Sequence, residues 1–310
     1  MRRQQRKVWV VVGLILLSVA SLVAVWWPAG PARPGAAGHQ IAVVTIDGPI
    51  MAGTSVEGMF TAVVGADDVV DQLNQAREDP AVRAVVIRMN TPGGSAAAAQ
   101  EIGAAVRRLR EAGKPVVVSI ADLGASGGYW IAANADRIVA NPASLTGSIG
   151  VIMEVTHYED LYQKLGIDVE TIKSGAYKDI GSATRPPTAD EKRILQGLVN
   201  DIFAQFVDVV AEGRRLSRQK VLELADGRVF TGRQAKEAGL VDELGTFEDA
   251  AELAASLAGL EDYELVEYGP SNPLLDVFRW FGTGAAWRFP AAEVLGPTLV
   301  RWELYRAVPR

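Results

Sequence analysis

The sequence predicts a mixed α/β fold in which helices cover a mostly parallel sheet. Short β-branched runs such as the segment 41–47 alternate with longer segments whose apolar residues recur at helical spacing. Repeated strand–helix–strand units favour parallel strands, because each helix carries the chain back to the start of the next strand. The alternation runs from residue 41 to about residue 260, which predicts one α/β domain over 41–260.

Boundary signals define the individual elements. A helix over 66–79 stops before Pro80, and an Ala-rich helix over 95–112 is closed by Gly113. Two further helices begin with capping-box pairs, in which an N-cap hydroxyl precedes Glu or Gln by three residues. These pairs are Thr188 with Glu191, ahead of a helix that ends at Arg214, and Thr231 with Gln234. The predicted strands are 41–47, 82–89, 115–120 and 167–172, and a last helix covers 246–258.

The N-terminal segment predicts a membrane anchor. Residues 8–27 carry no charge and follow a basic stub at 1–7. At about 1.5 Å per residue, a helix of this length spans the roughly 30 Å hydrocarbon core of a bilayer. Four basic residues precede the segment and only Arg33 follows closely, so we expect a cytoplasmic N-terminus and an extracytoplasmic domain. A cleavable signal peptide is the alternative, but its apolar region would be shorter, about 7–15 residues.

Two segments flank the predicted domain. Residues 28–40 are rich in Pro, Gly and Ala, which is typical of a flexible linker. Residues 261–310 form a C-terminal extension punctuated by proline and rich in Phe and Trp. This extension could be core, an oligomer contact or a surface that touches lipid headgroups, and the sequence leaves all three open.

Composition excludes several classes of function. The net charge of −6 and the pI near 5.2 give no basic face for nucleic acid. The chain has no cysteine, which excludes thiol nucleophiles, disulfides and thiolate metal sites. Its only histidines are His39 and His157. No metal or organic cofactor is expected, since no ligand motif such as H-E-x-x-H occurs.

Two glycine-rich turns each follow a predicted strand, at 90–94 (Asn-Thr-Pro-Gly-Gly) and at 124–128 (Gly-Ala-Ser-Gly-Gly). Glycine permits positive φ, and the free N–H groups of a following helix can bind developing negative charge. Ser126 directly precedes a predicted helix, where the helix dipole favours an alkoxide or oxyanion. A serine at this position is more often only an N-cap. Neither turn matches a nucleotide or phosphate motif.

If Ser126 is a nucleophile, the sequence favours lysine as its base. The pattern Gly-x-Ser126-x-Gly satisfies a nucleophile elbow, but His157 is the only histidine after it, which disfavours a Ser-His-Asp triad. A neutral lysine can replace histidine when it is desolvated and remote from carboxylates. Lys178 lies in the small-residue loop 174–182, yet Lys173 is nearly as eligible, and Asp179 counts against Lys178 unless its carboxylate points away. The residues themselves do not decide between Lys173 and Lys178.

An ordered series of motifs resembles the short form of signal peptide peptidase A, a family with a Ser-Lys dyad. The motifs are Gly-Ala-Ser-Gly-Gly-Tyr-Trp-Ile-Ala at 124–132, Ser-Leu-Thr-Gly-Ser-Ile-Gly-Val at 144–151, Ser-Gly-Ala-Tyr-Lys at 174–178 and the segment 227–245. The resemblance covers about 41–258. It implies a crotonase-like (ClpP-type) β-β-α superhelix, with Ser126 as the acylating serine and Lys178 rather than Lys173 as the base. It also implies that Ser148 orients the lysine and that the N–H of Gly93 is an oxyanion donor.

The same resemblance implies a membrane-bound serine endopeptidase that degrades remnant signal peptides within their apolar core. It implies a ring-shaped homo-oligomer in which the serine and the lysine of one site come from different protomers. Two departures stand out: Thr91 occupies a position where the family often has serine, and the extension at 261–310 carries no strong motif.

Three other functions compete with this interpretation. A membrane protease of the same fold could act on one partner protein instead of on signal peptides. A crotonase-type acyl-CoA enzyme would also use Gly-Gly N–H donors, but the anchor places the domain away from acyl-CoA. A non-catalytic scaffold could keep the fold for ring assembly alone.

Overall fold

The computed structural model describes residues 39–57 and 62–269. The predicted stub (1–7) and anchor (8–27) lie outside these residues, as do almost all of the linker (28–40) and of the C-terminal extension (261–310).

The described part of the chain alternates strands and helices. The strands are β1 (Gln40–Asp47), β2 (Ile50–Met51), β3 (Val56–Glu57), β4 (Ala62–Gly65), β5 (Val82–Thr91), β6 (Val116–Ala125), β7 (Arg137–Ala140), β8 (Leu145–Gly147), β9 (Val229–Thr231), β10 (Glu243–Leu244) and β11 (Glu264–Tyr268). The helices are α1 (Ala66–Glu78), α2 (Ala96–Glu111), α3 (Gly127–Ala132), α4 (Glu159–Lys164), α5 (Ala189–Arg214), α6 (Arg218–Leu224), α7 (Gly232–Glu237) and α8 (Phe247–Ala258).

The main sheet confirms the predicted mixed α/β class with mostly parallel strands. Its strand order is β10-β7-β6-β5-β1-β11, and each neighbouring pair is parallel. Strand β8 adds to β6 in parallel, and β9 pairs with β8 antiparallel. A smaller sheet has the order β2-β4-β3. The β-branched residues of β5 and β6 are fully buried, as expected for central strands covered on both faces.

The core lies on both faces of the sheet. Along β5, Ala84 and Val86 pack with α8, whereas Val85 and Ile87 belong to the larger cluster on the opposite face. This alternation is the period of two that a strand imposes on its side chains. Small residues on α8, including Ala250, bring that helix close to the sheet. Apolar side chains of α1, α2, α3 and α5 fill the larger cluster.

The prediction of a strand at 167–172 is wrong. This segment has no regular structure, and the exposed fractions of Ile167, Val169 and Ile172 are 46%, 52% and 94%. Its alternating pattern resembles a half-buried strand, but no described strand lies beside it to complete the hydrogen bonds. The other predicted strands and helices are confirmed, although β5 and β6 run further, to the edges of the two glycine-rich turns.

Helix α5 is the one described helix that is long and apolar enough, by length and composition, to cross a membrane. Its C-terminal half nevertheless packs into the domain, since Phe206, Val207 and Val210 are buried. The ring centroids of Phe206 and Trp130 are 4.9 Å apart, which joins α5 to α3. These contacts hold the C-terminal half of α5 in the domain, whereas most of its N-terminal half is exposed.

The start of α5 is held by the predicted capping box and by an arginine. The backbone N–H of Thr188 donates to Glu191 Oε2 (2.8 Å), and the N–H of Glu191 donates to Thr188 Oγ1 (3.2 Å). Arg185 donates to both carboxylate oxygens of Glu191, at 2.8 and 2.6 Å. The Glu191 side chain is only 2% exposed. The Arg185 guanidinium, with help from the Thr188 N–H, lowers the pKa of Glu191 from 4.5 to about 2.

This depressed pKa predicts an acid-sensitive fold. The unfolded chain binds more protons than the folded chain between about pH 4.5 and pH 2, so the free energy of unfolding falls as the pH decreases through this window. We expect Glu191→Gln to lower the free energy of unfolding at pH 7. We also expect this free energy to decrease less between pH 4.5 and 2 in the variant than in the wild type. Urea unfolding of the full chain at several pH values, followed by tryptophan fluorescence, measures both effects.

Glu223→Gln is the matched control. Glu223 forms an exposed ion pair with Lys220 on α6. Its replacement should not change how the free energy of unfolding depends on pH. Equal slopes for Glu191→Gln and the wild type would contradict the assignment of the acid-sensitive group to Glu191.

Candidate active site

Ser126 occupies a strained turn between β6 and α3. Its φ is 52° and its ψ is −121°, and a positive φ is uncommon outside glycine. Its N–H donates to the carbonyl of Gly147 (2.9 Å), and its carbonyl accepts from the N–H of Trp130 (2.9 Å). The side chain makes no capping hydrogen bond to α3. The simple N-cap interpretation therefore fails for Ser126, and its half-buried hydroxyl remains available.

The two glycine-rich turns touch each other. Gly93 has a φ of +92°, and a Cβ placed on it would lie 2.5 Å from the nitrogen of Gly127 and 2.9 Å from Ser126 Cβ. Only glycine fits so close to these backbone atoms. Because β5 and β6 are parallel neighbours, their carboxyl ends bring residue 93 beside residue 126. The structure thus places Gly93 next to Ser126, as the resemblance implies.

Two backbone N–H groups lie near the serine. Gly127 is the first residue of α3, so its N–H has no partner within the helix. The N–H of Gly93 donates to Thr91 Oγ1 (3.0 Å), and Thr91 is fully buried. Gly127 was missed in the sequence analysis, although the first residue of a helix that directly follows a candidate nucleophile is a usable signal.

Thr91 shapes the turn through both branches of its side chain. Its hydroxyl oxygen accepts the N–H of Gly93, and its Cγ2 would lie 2.6 Å from a Cβ at Gly128. A serine would keep the hydroxyl and lose this methyl contact. The threonine that departs from the family pattern therefore fills space against the first turn of α3.

Ser148 follows β8 at the same end of the sheet. The preceding residue, Gly147, accepts the N–H of Ser126, and the N–H of Ser148 donates to the carbonyl of Arg228 (2.9 Å). Ser148 has a φ of 50°. The described non-glycine residues with positive φ are Ser126, Ser148 and Arg215, so two of them lie at this site. Backbone strain of this kind clusters at active sites.

Lys178 lies in an exposed loop after α4. Its N–H donates to the carbonyl of Gly175 (3.2 Å), and within the described part of one chain its amino group forms no hydrogen bond or ion pair. In particular, no hydrogen bond joins it to Ser126 or Ser148 in the same protomer. The structure brings Ser126, Ser148 and Gly93 together but leaves Lys178 outside that group.

The competing lysine is engaged elsewhere. Lys173 Nζ donates to Asp179 Oδ1 (2.6 Å) and to the carbonyl of Ala176 (3.1 Å). Arg185 Nε donates to Asp179 Oδ2 (3.0 Å). The carboxylate that counted against Lys178 in the sequence thus points to Lys173 and Arg185.

No cluster of three or more His, Asp or Glu side chains suited to a metal ion occurs in residues 39–57 and 62–269. A cavity of about 700 Å³ lies beside the Lys173–Arg185 segment and not at Ser126. The groups that the structure describes around Ser126 are its own hydroxyl and the backbone N–H groups of Gly93 and Gly127.

Comparison with known proteins places the chain in a protease family. Residues 108–261 match the model of Peptidase family S49. A protein of Methanocaldococcus jannaschii, provisionally named as a protease, is 46% identical over 200 residues, which are 64% of each chain. Protease 4 of Salmonella typhi is 38% identical over 252 residues, which are 81% of this chain and 40% of that protein. The chain thus spans about two thirds or less of the length of these two relatives.

A relative from Enterococcus faecium, provisionally named signal peptide peptidase SppA, is 36% identical over 76% of this chain and 68% of its own length. Among solved structures, a lysine variant of the membrane-bound stomatin-specific protease 1510-N, in complex with a substrate peptide, superposes with a TM-score of 0.51 at 16% identity. That match covers 78% of this chain and 98% of the other, and at this identity it shows the fold alone. On the sequence matches, this chain belongs to peptidase family S49.

Proposed function

We propose that this chain is a membrane-bound serine endopeptidase that uses Ser126 as nucleophile and Lys178 as general base. The observation that carries the proposal is the uncapped Ser126 hydroxyl on a positive-φ turn, in contact with Gly93. A hydroxyl at a strained strand-to-helix turn, next to free backbone N–H groups, suits nucleophilic attack on a carbonyl. Membership of a peptidase family makes a peptide bond the substrate.

The reaction proceeds in two steps. Neutral Lys178 takes the proton of Ser126 Oγ as that oxygen bonds to the carbonyl carbon, and the lysine then gives the proton to the leaving amine as the peptide bond breaks. Water, activated by the same amine, cleaves the resulting ester and restores the Ser126 hydroxyl. Ser148 orients the lysine in this scheme, as the resemblance implies.

The oxyanion that forms in each step is stabilised by the N–H groups of Gly93 and Gly127. The Gly93 N–H is already bonded to the Thr91 hydroxyl, so the oxyanion competes with that oxygen for the donor. The N–H of Gly127 has no such competitor within α3 and contributes the helix dipole as well.

The dyad is completed between protomers of a ring-shaped homo-oligomer. Lys178 makes no hydrogen bond to Ser126 within one described chain, and the segment 152–178 is exposed over most of its length. It carries large apolar side chains in contact with solvent, among them Ile152 at 86% and Ile172 at 94% exposure. Surfaces of this kind mark interfaces, and the segment suits contact with a neighbouring protomer that supplies Ser126.

The crotonase-like (ClpP-type) superhelix is the fold we propose, and remnant signal peptides are the proposed substrates. The Enterococcus relative named for signal peptide peptidase supports this substrate class. The uncharged segment 8–27 supports a single-pass anchor with a cytoplasmic N-terminus and an extracytoplasmic catalytic domain. A ClpP-class membrane protease that acts on one specific partner protein is the second candidate, because the superposed structure is described as stomatin-specific.

Replacement of either dyad residue should abolish peptidase activity. We expect Ser126→Ala and Lys178→Ala to lower kcat/KM for an apolar signal-peptide fragment by about 10³-fold or more. The assay uses the full chain at equal oligomer content. Lys220→Ala removes an exposed lysine on α6, outside the segment 152–178, and should keep wild-type activity. Peptide cleavage by Lys178→Ala at the wild-type rate would show that another residue is the general base.

A methyl group at residue 93 should damage the site without unfolding the domain. Gly93→Ala would force a Cβ against the nitrogen of Gly127, and we expect kcat/KM to fall about 10²-fold or more as the oxyanion donors shift. Gly113→Ala is the matched control: its φ is also positive, at +78°, but nothing lies within 4 Å of its Cβ. It should cost about 1 kcal/mol of stability and keep activity. Equal activities of the two variants would contradict the proposed contact.

A further inference from the structure

The loop that carries Lys178 is braced by a network of four charged residues: Lys173, Asp179, Arg185 and Glu191. Arg185 lies at its centre. Its guanidinium contacts Asp179 through Nε (3.0 Å) and Nη2 (2.9 Å), and it donates to both oxygens of Glu191 at 2.8 and 2.6 Å. One side chain thus ties the Lys178 loop to the first turn of α5.

Both oxygens of Asp179 are engaged by cations. Lys173 Nζ and Arg185 Nη2 contact Oδ1, and Arg185 Nε contacts Oδ2. The side chain is 11% exposed, so water competes little for these oxygens. The hydrogen bond from Arg185, and then that from Lys173, hold the pKa of Asp179 below its usual range. Asp179 therefore stays ionised, and its carboxylate is engaged by Lys173 and Arg185.

The charges of the network cancel one another, and Lys178 forms no ion pair with it in the described part of the chain. Lys173 and Arg185 balance Asp179 and Glu191. Short-range turns fix the backbone on both sides of the lysine, since the N–H of Lys178 bonds to Gly175 and the N–H of Ser182 bonds to the carbonyl of Asp179 (3.0 Å). Backbone hydrogen bonds thus hold the chain next to Lys178, and Lys173 and Arg185 hold the carboxylate of Asp179.

We propose that Arg185 is a positioning residue for Lys178: together with Lys173 it holds the Asp179 carboxylate, so that this carboxylate cannot pair with the neighbouring amine. The inference rests on the proposed role of Lys178 as base. A carboxylate paired with Lys178 would stabilise its ammonium form, and an ammonium cannot accept the Ser126 proton.

An arginine is required because two carboxylates must be held at once. The planar guanidinium has five donors in a fixed geometry and can bridge both, whereas a lysine ammonium acts as a point charge. The titratable groups around the adjoining cavity are Lys173, Tyr177, Arg185, Asp190 and Glu191. Asp190 is paired with Arg193, and Glu191 is held by Arg185 and Thr188. Loss of Arg185 would release both Glu191 and Asp179, and Asp179 is the one next to Lys178 in the chain.

The experiment measures kcat/KM against pH for the full-chain oligomer. In Arg185→Gln the acid limb of the profile should move up by about one pH unit, so that activity falls roughly 10-fold near neutral pH and recovers at higher pH. Adding Asp179→Asn to this variant removes the freed carboxylate and should return the limb to its wild-type position. Arg193→Gln, which removes only the exposed partner of Asp190, should keep the wild-type profile.

Lys173→Gln keeps the test decisive if Arg185→Gln does not assemble. This variant keeps the hydrogen bonds from Arg185 to Glu191 and removes one of the two cations that contact Asp179. The acid limb of its pH profile should therefore shift in the same direction as in Arg185→Gln, but by a smaller amount. A uniform loss of activity at every pH, or a shift that persists in the double variant, would overturn the proposal. An unmoved limb in Lys173→Gln would overturn it as well.

A second readout separates this inference from the proposed function. Labelling with acetic anhydride at a series of pH values, read at Lys178 by mass spectrometry, reports when its amine becomes reactive, whatever the enzyme does. An upward shift in Arg185→Gln that Asp179→Asn reverses supports the contact. Unshifted labelling overturns the role of Arg185, whereas full peptidase activity in Lys178→Ala overturns the proposed function instead.

Discussion

The parallel pairing of β5 with β6 positions the proposed nucleophile and its neighbouring N–H donors at one end of the sheet. The two strands run side by side from Val85 and Val116 to their carboxyl ends, where Thr91 pairs with Gly124. After that point each strand leads through its glycine-rich turn into a helix, and the two turns are in contact at Gly93 and Gly127. The fully buried residues of both strands favour this register, since a slip by one residue would exchange the side chains that pack on α8 with those that pack in the larger cluster. The Ser126 hydroxyl and its neighbouring N–H donors thus depend on the core beneath them.

The proposed base is positioned by a different kind of constraint. Lys178 lies on an exposed loop with no described strand beside it, and its surroundings come from ion pairs and from the first turn of α5. The sheet therefore fixes the position of Ser126, the proposed nucleophile, whereas electrostatic contacts fix the loop that carries Lys178, the proposed base. If the dyad forms between protomers, assembly of the ring also switches on the site, because an isolated protomer lacks a base at Ser126.

The sequence predicted the elements whose signals are local. The strands 41–47 and 82–89 and the helices that begin at Ala96 and Ala189 follow from β-branched runs, caps and helical spacing, and the structure confirms them. The contact between Gly93 and Ser126 was predictable only through the family resemblance, because it depends on strand order. The alternating segment 167–172 failed as a strand because alternation reports one apolar side and not a hydrogen-bonding neighbour. The direction of the Asp179 carboxylate also could not be predicted, since it depends on Arg185, six residues further along the chain.

The central claim is that Ser126 forms a covalent acyl-enzyme with the help of Lys178, and the most direct test is to trap that intermediate. The full-chain oligomer is incubated with an apolar peptide ester, quenched in acid and mapped by mass spectrometry. The account predicts an acyl group on the peptide that contains Ser126, formed far more slowly in Lys178→Ala. Turnover of the ester without an adduct at Ser126, or an adduct on another residue that follows the kinetics of turnover, would contradict it.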